Sequence, residues 1–143
     1  MNLTPHFTLA EFERSATANR LGVSNKMNDT QLVAAKALCS EILEVIRAHY
    51  KAAIVITSGY RSPVVNKAVG GSSSSQHCKG EAADFTVVGK SVESVFSDIK
   101  HGKIKGLRFD QVIHEGTWIH ISYRKNRLRG ECLIFKNGKY QKG

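Results

Sequence analysis

Residues 58–84 read SGYRSPVVNKAVGGSSSSQHCKGEAAD, and this stretch determines most of what can be expected of the fold. The short β-branched run Ala53–Thr57 comes directly before it and predicts a buried strand. Ser62 followed by Pro63 predicts the start of a helix, because serine caps a helix N-terminus and proline suits the first helical position. A Gly-Gly pair should end that helix, and a serine-rich loop separates it from the next apolar run.

Three side chains of metal-binding types follow in the sequence, His77 and Asp84 in this stretch and His120 in the later run WIHIS. Two histidines and one carboxylate leave the fourth position of a tetrahedral zinc ion open, as in hydrolytic rather than structural sites. Each residue alone also has an ordinary explanation. These are a solvated loop histidine, a carboxylate that is capped or paired with Arg61, and a half-buried histidine bonded to backbone.

Strand alternation assigns a face to two of these candidates. The run Thr117–Tyr123 predicts a strand in which the two isoleucines pack on the core, while Trp118 shares the opposite face with His120. We expect Trp118 to form a wall of the substrate cleft, with plain core packing as the alternative. Asp84 should point away from its apolar neighbours, and a carboxylate there is costly to bury unless it meets a cation or strong donors.

The remaining pattern predicts an α+β fold in one domain, residues 1–143, with the motif-bearing core at about 53–123. Helices are expected at about 9–17, 28–50, 63–69 and 91–100, and strands at 53–57, 82–88, 109–114, 117–123 and 132–135. Because helices come mostly first, we expect an antiparallel sheet with helices packed on one side. Two hairpin loops are expected after these strands, the basic run 124–129 and a type I′ turn at Asn137-Gly138.

Composition and charge limit the partners and the cellular location that can be expected. The formal net charge is +9 and the pI about 9.7, which implies an anionic partner or surface. No nucleic-acid-binding motif accompanies the basic residues, so we expect no nucleic-acid partner. Three cysteines without repeated spacing favour free thiols. No apolar run is long enough to span a bilayer, and no secretory signal is visible, so we expect cytoplasmic synthesis without stable membrane association.

Two groups of motifs carry a resemblance to a known family. They are SGYRSP at 58–63 with Asn66, VGG at 69–71, SQH at 75–77, Gly80 and AAD at 82–84, and then FDQ at 109–111 with Glu115 and WIH at 118–120. On these residues the chain closely resembles the zinc-dependent D-Ala-D-Ala carboxypeptidase family, over roughly residues 5–125. That family includes phage endolysins and vancomycin-resistance dipeptidases on the hedgehog/DD-peptidase fold, and the chain looks most like its short, single-domain branch.

The resemblance implies a role for each matched residue. His77, Asp84 and His120 would bind one zinc ion per chain. Arg61 would take part in catalysis by holding the substrate carbonyl or carboxylate, since a guanidinium offers paired donors to an oxyanion. Gln76 would help to position the substrate.

The catalytic base is the one point at which the chain departs from the family pattern. Several branches keep an acidic base three residues before the second histidine, and that position here is Thr117. The nearest acid is Glu115, which would take a proton from the attacking water and deliver it to the leaving amine. Asp110 and His114 remain alternatives for this role.

Together these features predict a zinc-dependent metallopeptidase that hydrolyses peptide bonds in peptidoglycan stem peptides. The bond would be either a terminal D-Ala-D-Ala bond or an L-Ala-D-Glu bond. The small basic domain resembles a monomeric phage endolysin, made in the cytoplasm and released to the anionic cell wall through a membrane lesion. The alternative is a non-catalytic, zinc-containing module that binds the cell wall or belongs to a phage particle.

Overall fold

The computed structural model of the protein describes residues 1–143. Its helices are α1 (Leu9–Glu13), α2 (Ala16–Leu21), α3 (Asp29–Leu38), α4 (Glu44–Tyr50), α5 (Pro63–Ala68) and α6 (Val92–Lys100). Its strands are β1 (Asn2–Thr4), β2 (Phe7–Thr8), β3 (Ile54–Ser58), β4 (Ala82–Val87), β5 (Gln111–His114), β6 (Ile119–Ser122), β7 (Glu131–Lys136) and β8 (Lys139–Lys142). A π-helical turn, Cys39–Leu43, joins α3 to α4, and a 3₁₀ helix, Gln76–Lys79, precedes β4. None of the helices is long and apolar enough to cross a membrane.

Side-chain caps begin the helices where the sequence predicts them. The Asn28 side chain caps α3 by accepting from the backbone N–H of Gln31, the backbone N–H of Asn28 donates in return to the Gln31 side chain, and Ser91 caps α6. Ser62 caps α5 with Pro63 at its start, as predicted. These local signals confirm the predicted starts of the long helix at 28–50 and of the two later helices.

The prediction of a single helix at 9–17 was wrong about where that helix ends. Thr8 and Glu11 form the expected capping box at the start of α1, but that helix ends at Glu13. Ser15 then accepts a hydrogen bond from the backbone of Ala18 and begins α2 as a separate helix. A second cap, Ser15, inside the apolar pattern thus divides one predicted helix into two.

The main sheet has six strands in the order β3-β4-β6-β5-β7-β8, so the predicted α+β class is confirmed. All neighbouring pairs are antiparallel except β5 and β7, which run parallel. The basic run 124–129 was predicted to be a hairpin loop, and that prediction was wrong. The loop carries the chain from β6 past β5, so that β7 pairs with β5 from Gln111↔Glu131 onward. The turn at Asn137-Gly138, with positive φ at both residues, does close the terminal hairpin as predicted.

The two faces of the sheet have different neighbours. On one face α3, α4 and α6 bury a single apolar core, to which β6 contributes Ile119 and Ile121. Residues directly across from one another in the register share a face, so Ile113, Asp84 and His120 all lie on the opposite face. That face is covered only in part and forms the floor of a cleft. The alternation predicted for Asp84 and His120 is confirmed.

Candidate metal centre and its cleft

Three buried side chains meet on the floor of the cleft. Asp84 on β4 lies directly across from His120 on β6, and the 3₁₀ helix brings His77 beside them. Asp84 Oδ1 is 3.1 Å from His77 Nε2 and 3.2 Å from His120 Nδ1. All three candidate ligand atoms lie within 4.8 Å of one another, and the residues are only 3–7% exposed. This arrangement can hold one metal ion.

Each histidine is held at its outer nitrogen by an oxygen. His77 Nδ1 lies 2.7 Å from the carbonyl oxygen of Gly59, and His120 Nε2 lies 3.0 Å from Oε1 of Gln76. Both inner nitrogens face Asp84. Metal-binding histidines in proteins are usually oriented in this way, with the far N–H donated to an oxygen so that the other nitrogen is free to ligate.

The 3₁₀ helix that carries His77 is docked on α3. Gln31 donates a hydrogen bond of 3.1 Å from its side chain to the carbonyl of Cys78. Gly80 ends this helix at φ +73°, and a Cβ there would collide with the carbonyl oxygen of Gln31. Both the left-handed conformation and the close backbone approach require glycine at position 80.

Asp84 remains a carboxylate in spite of its burial. Burial alone would raise its pKa, but in the metal-free site His120 and His77 donate hydrogen bonds to it when their inner nitrogens are protonated, and these bonds and charges lower the pKa well below the usual range. Arg61 Nη2 lies 3.3 Å from the second oxygen, Oδ2. The explanation of Asp84 as a carboxylate paired with Arg61 is therefore compatible with its place in the cluster, because the two oxygens face different partners.

Arg61 is itself anchored and keeps donors to spare. Its Nε donates to Ser58 Oγ at 3.1 Å, and Nη1 donates to Asn66 Oδ1 at 3.4 Å. Of the five N–H donors of a guanidinium, three are engaged, which leaves two. The side chain is 20% exposed and lines the cleft, so the free donors are accessible to an oxygen of a bound molecule.

Glu115 is placed over the same floor by a tight turn. It follows β5, and its N–H donates to the carbonyl of Trp118 across a two-residue loop in which Gly116 has φ +95°. Glu115 lies two residues beyond Ile113, so strand alternation places it on the cleft face. Burial raises the pKa of Glu115, the charge of Asp84 raises it further, and His120 and Arg61 partly offset this rise. A carboxylate with a raised pKa beside a cationic site is suited to accept a proton.

The family model for Peptidase M15 matches residues 5–122, which is most of the chain. The chain belongs to the peptidase M15 family. It is therefore a metallopeptidase of a zinc-dependent family, and the buried cluster of two histidines and an aspartate is its metal-binding group. A comparison with curated proteins gave no match.

The two alternative bases of this M15 peptidase are engaged elsewhere. His114 lies on the opposite face, where its ring meets Phe96 and its Nε2 is 3.5 Å from a carboxylate oxygen of Glu93. The carboxylate of Asp110 is 1% exposed and is bound by Arg129 at 2.6 and 3.2 Å. Neither group is available to accept a proton in the cleft, so Glu115 stays the predicted base.

The cleft has a volume of about 500 Å³ and is lined mainly by polar groups. Trp118, 36% exposed, lines it, and its contact with substrate stays a prediction. The exposed cations Lys79, Arg124 and Arg127 stand along it and are called here the basic rim. Lys79 and Arg127 have no carboxylate within 4.0 Å, and Arg124 reaches Glu81 only at 4.0 Å. The basic rim thus carries charge that the protein itself does not neutralise.

Arg129 and Tyr140 are among the cleft residues that the sequence did not predict. Both lie beyond residue 122, where the family match ends. Arg129 lies in the basic run 124–129, for which the sequence predicts a hairpin loop. Tyr140, on the terminal hairpin, lies close enough for Glu115 to raise its pKa, although burial is the larger cause. Only knowledge of the parallel pairing of β5 and β7 could have brought these residues to the cleft.

Proposed function

We propose that the protein is a zinc peptidase that hydrolyses peptide bonds in peptidoglycan stem peptides. The observation that carries the proposal is the buried cluster of His77, Asp84 and His120 beneath Glu115, on the floor of an open cleft. The site combines a metal-binding set, a base of raised pKa and a cationic donor on one face. A site for hydrolysis needs all three, whereas a site for binding alone does not need the base.

Zinc fits the donor set. Imidazole and carboxylate are ligands that zinc accepts, and three protein ligands leave one position open, as in catalytic zinc sites. Both histidines already have their outer nitrogens occupied, which suits ligation by the inner ones. We propose one zinc ion per chain.

The chemistry divides between the metal and three side chains. A bound zinc ion would supply Lewis acidity, which polarises the scissile carbonyl and lets water attack near neutral pH. Glu115 accepts the proton that the attacking water loses and passes it to the nitrogen of the leaving amine as the C–N bond breaks. The two free N–H groups of Arg61 hold a carbonyl or terminal carboxylate oxygen of the substrate. Trp118 offers its indole as a wall beside the peptide, and the predicted contact of Gln76 with substrate stays a prediction.

The substrate class follows from the shape and charge of the cleft. An open cleft with a polar lining suits an extended peptide better than a small apolar ligand. The basic rim would attract the carboxylates of stem peptides and the anionic wall around them. We propose cleavage of a terminal D-Ala-D-Ala bond or of an L-Ala-D-Glu bond.

The proposed setting is a phage-type lytic enzyme that acts as a monomer on the wall, after release through a membrane lesion. Added protein should then lyse cells whose membrane has been permeabilised and spare intact cells of the same strain. Lysis of both kinds of cell at equal rates would contradict the need for a lesion. Elution from a sizing column at the mass of a dimer would contradict the monomer.

The first test is metal analysis combined with digestion of purified peptidoglycan. We expect one zinc per chain by elemental analysis, and released D-Ala or new amino termini in the digest by mass spectrometry. The fragment identifies the bond that is cut. Zinc without cleavage would favour the non-catalytic wall-binding module, and protein that binds no metal would refute the proposed function.

The basic rim gives a prediction about binding to the wall. Reversing two of its charges in the double variant K79E/R127E should weaken binding to purified walls about 10-fold or more at low ionic strength, because exposed charges act through screened attraction. The difference should shrink at high salt. Co-sedimentation with walls measures it, with K103E/K105E as a matched control, because it reverses two exposed charges that do not line the cleft. Equal binding of wild type and both variants to walls would contradict a role for the rim. The expectation of no nucleic-acid partner is tested separately, and tight, salt-sensitive binding to duplex DNA would contradict it.

A further inference from the structure

The two histidines of the metal centre are held by oxygens of different kinds. The outer nitrogen of His77 faces a backbone carbonyl, which can only accept a hydrogen bond. The outer nitrogen of His120 faces the side-chain amide of Gln76. An amide has an accepting oxygen at one end and a donating NH₂ at the other. The tautomer of His120 therefore depends on which way that amide points.

Asp110 decides which way the amide points. The NH₂ nitrogen of Gln76 lies 3.1 Å from Asp110 Oδ2. An ionised carboxylate accepts hydrogen bonds and donates none, so it selects the donating end of the amide. The oxygen of Gln76 is then left facing His120, whose Nε2 must carry the proton.

Arg129 holds the carboxylate of Asp110 in place. Its guanidinium makes a bidentate pair with the carboxylate, from Nε at 2.6 Å and from Nη2 at 3.2 Å. Asp110 is 1% exposed and has no role in the proposed chemistry, and a buried carboxylate of this kind is costly without strong partners. Arg129 also lies outside residues 5–122, so a segment beyond the family match completes this chain of contacts.

We propose that Arg129, Asp110 and Gln76 are positioning residues for the metal centre. Arg129 orients Asp110, Asp110 orients the amide of Gln76, and the amide keeps the proton of His120 on Nε2. Nδ1 of His120, which faces Asp84, is thereby left free to ligate the metal. This inference rests on the proposed zinc site but not on the identity of the peptide that is cut.

The test replaces the acceptor at position 110 by a donor of the same shape. In Asp110→Asn the amide oxygen, in the place of Oδ1, can still accept from Arg129 Nε, while the NH₂, in the place of Oδ2, faces Gln76 and no longer accepts from Arg129 Nη2. The Gln76 amide should then turn over and present its NH₂ to His120, which favours the tautomer with its proton on Nδ1. Loss of such supporting contacts typically costs about 10–100-fold in metal affinity, so we expect a loss of that size. Competition for zinc against a chelator measures it.

A second substitution should reverse the effect. In the double variant Q76E/D110N a carboxylate at position 76 accepts from both the new asparagine and His120 Nε2. Zinc affinity should return to within a few-fold of wild type, although two residues near the metal have changed. ¹⁵N NMR of the histidine rings in zinc-loaded protein should show His120 ligated through Nδ1 and protonated on Nε2 in wild type and in the double variant, and a smaller share of this tautomer in Asp110→Asn. A role limited to holding the fold would not produce this recovery.

The matched control is Glu131→Gln, which removes the other carboxylate near Arg129, at 3.6 Å, without touching Gln76. It should bind zinc as wild type does. Wild-type affinity and an unchanged tautomer in Asp110→Asn would overturn the inference while leaving the zinc site intact. A double variant no better than the single one would overturn it too, whether or not Asp110→Asn folds fully. Failure of the wild type to bind zinc would refute the proposed function and this inference together.

Discussion

Replacing Glu115 by glutamine should lower kcat on stem peptides by about 10²–10⁴-fold, the usual contribution of a positioned general base. The amide cannot accept the proton of the attacking water, although it has the size and shape of the carboxylate. Metal content should be unchanged, because Glu115 is not one of the three clustered ligands. Chromatographic measurement of peptide cleavage, with elemental analysis of the same sample, gives both quantities.

The control for this variant is Glu81→Gln, which removes another carboxylate from the same cleft. Glu81 interacts with Arg124 at the rim and is not one of the clustered metal-ligand candidates, so its variant should stay within a few-fold of wild type. Full activity of Glu115→Gln would remove Glu115 from the mechanism. Loss of zinc together with activity would instead assign it a role in forming the metal site.

The second large effect is expected at Asp84. In Asp84→Asn zinc affinity should fall by roughly 10²–10³-fold, and cleavage should be lost at limiting zinc. The estimate follows from structural zinc sites, in which four ligands share about 10–16 kcal/mol and one ligand therefore accounts for about 2.5–4 kcal/mol. The asparagine can still accept from Arg61, so the ion pair is weakened without leaving the guanidinium bare. Chelator competition measures the affinity, and circular dichroism verifies the fold.

Asp98→Asn is the matched control for that variant. Asp98 is half-buried and accepts a hydrogen bond of 2.6 Å from the hydroxyl of Tyr50, but it lies on α6 behind the sheet. It should lose some stability and no zinc. If Asp84→Asn bound zinc as tightly as wild type, Asp84 would be only the partner of Arg61, and the metal site would need other ligands.

Much of the fold could be predicted because its signals are local. A serine or asparagine with its cap geometry begins a helix whatever surrounds it, and α3, α5 and α6 begin where such residues stand. Alternation along β6 assigned His120 to the cleft face and its neighbouring isoleucines to the core. The division of residues 9–17 into two helices was missed because Ser15 competes with the apolar pattern around it.

The pairing of distant strands could not be predicted in the same way. A strand's own residues state which face is buried, but they do not state which neighbour it pairs with or in which direction. The pattern of the run 124–129 therefore predicted a hairpin loop. Only the pairing of the strands in the folded sheet shows that β7 lies parallel to β5. That single difference accounts for the missed contact between Arg129 and Asp110.

The sequence by itself determined the ligand types, the caps and the strand faces, and through its motifs it indicated a metal site at His77, Asp84 and His120. Ligand types depend on the chemistry of single residues, and caps and strand faces depend on spacings of two to four residues along the chain. The tertiary structure decided which carboxylate is free. Asp110 and Glu115 look alike in sequence, five residues apart, yet one is bound by Arg129 and the other faces the cleft. Only the three-dimensional arrangement supplies the partners of a charge, and those partners decide whether it supports the site or reacts in it.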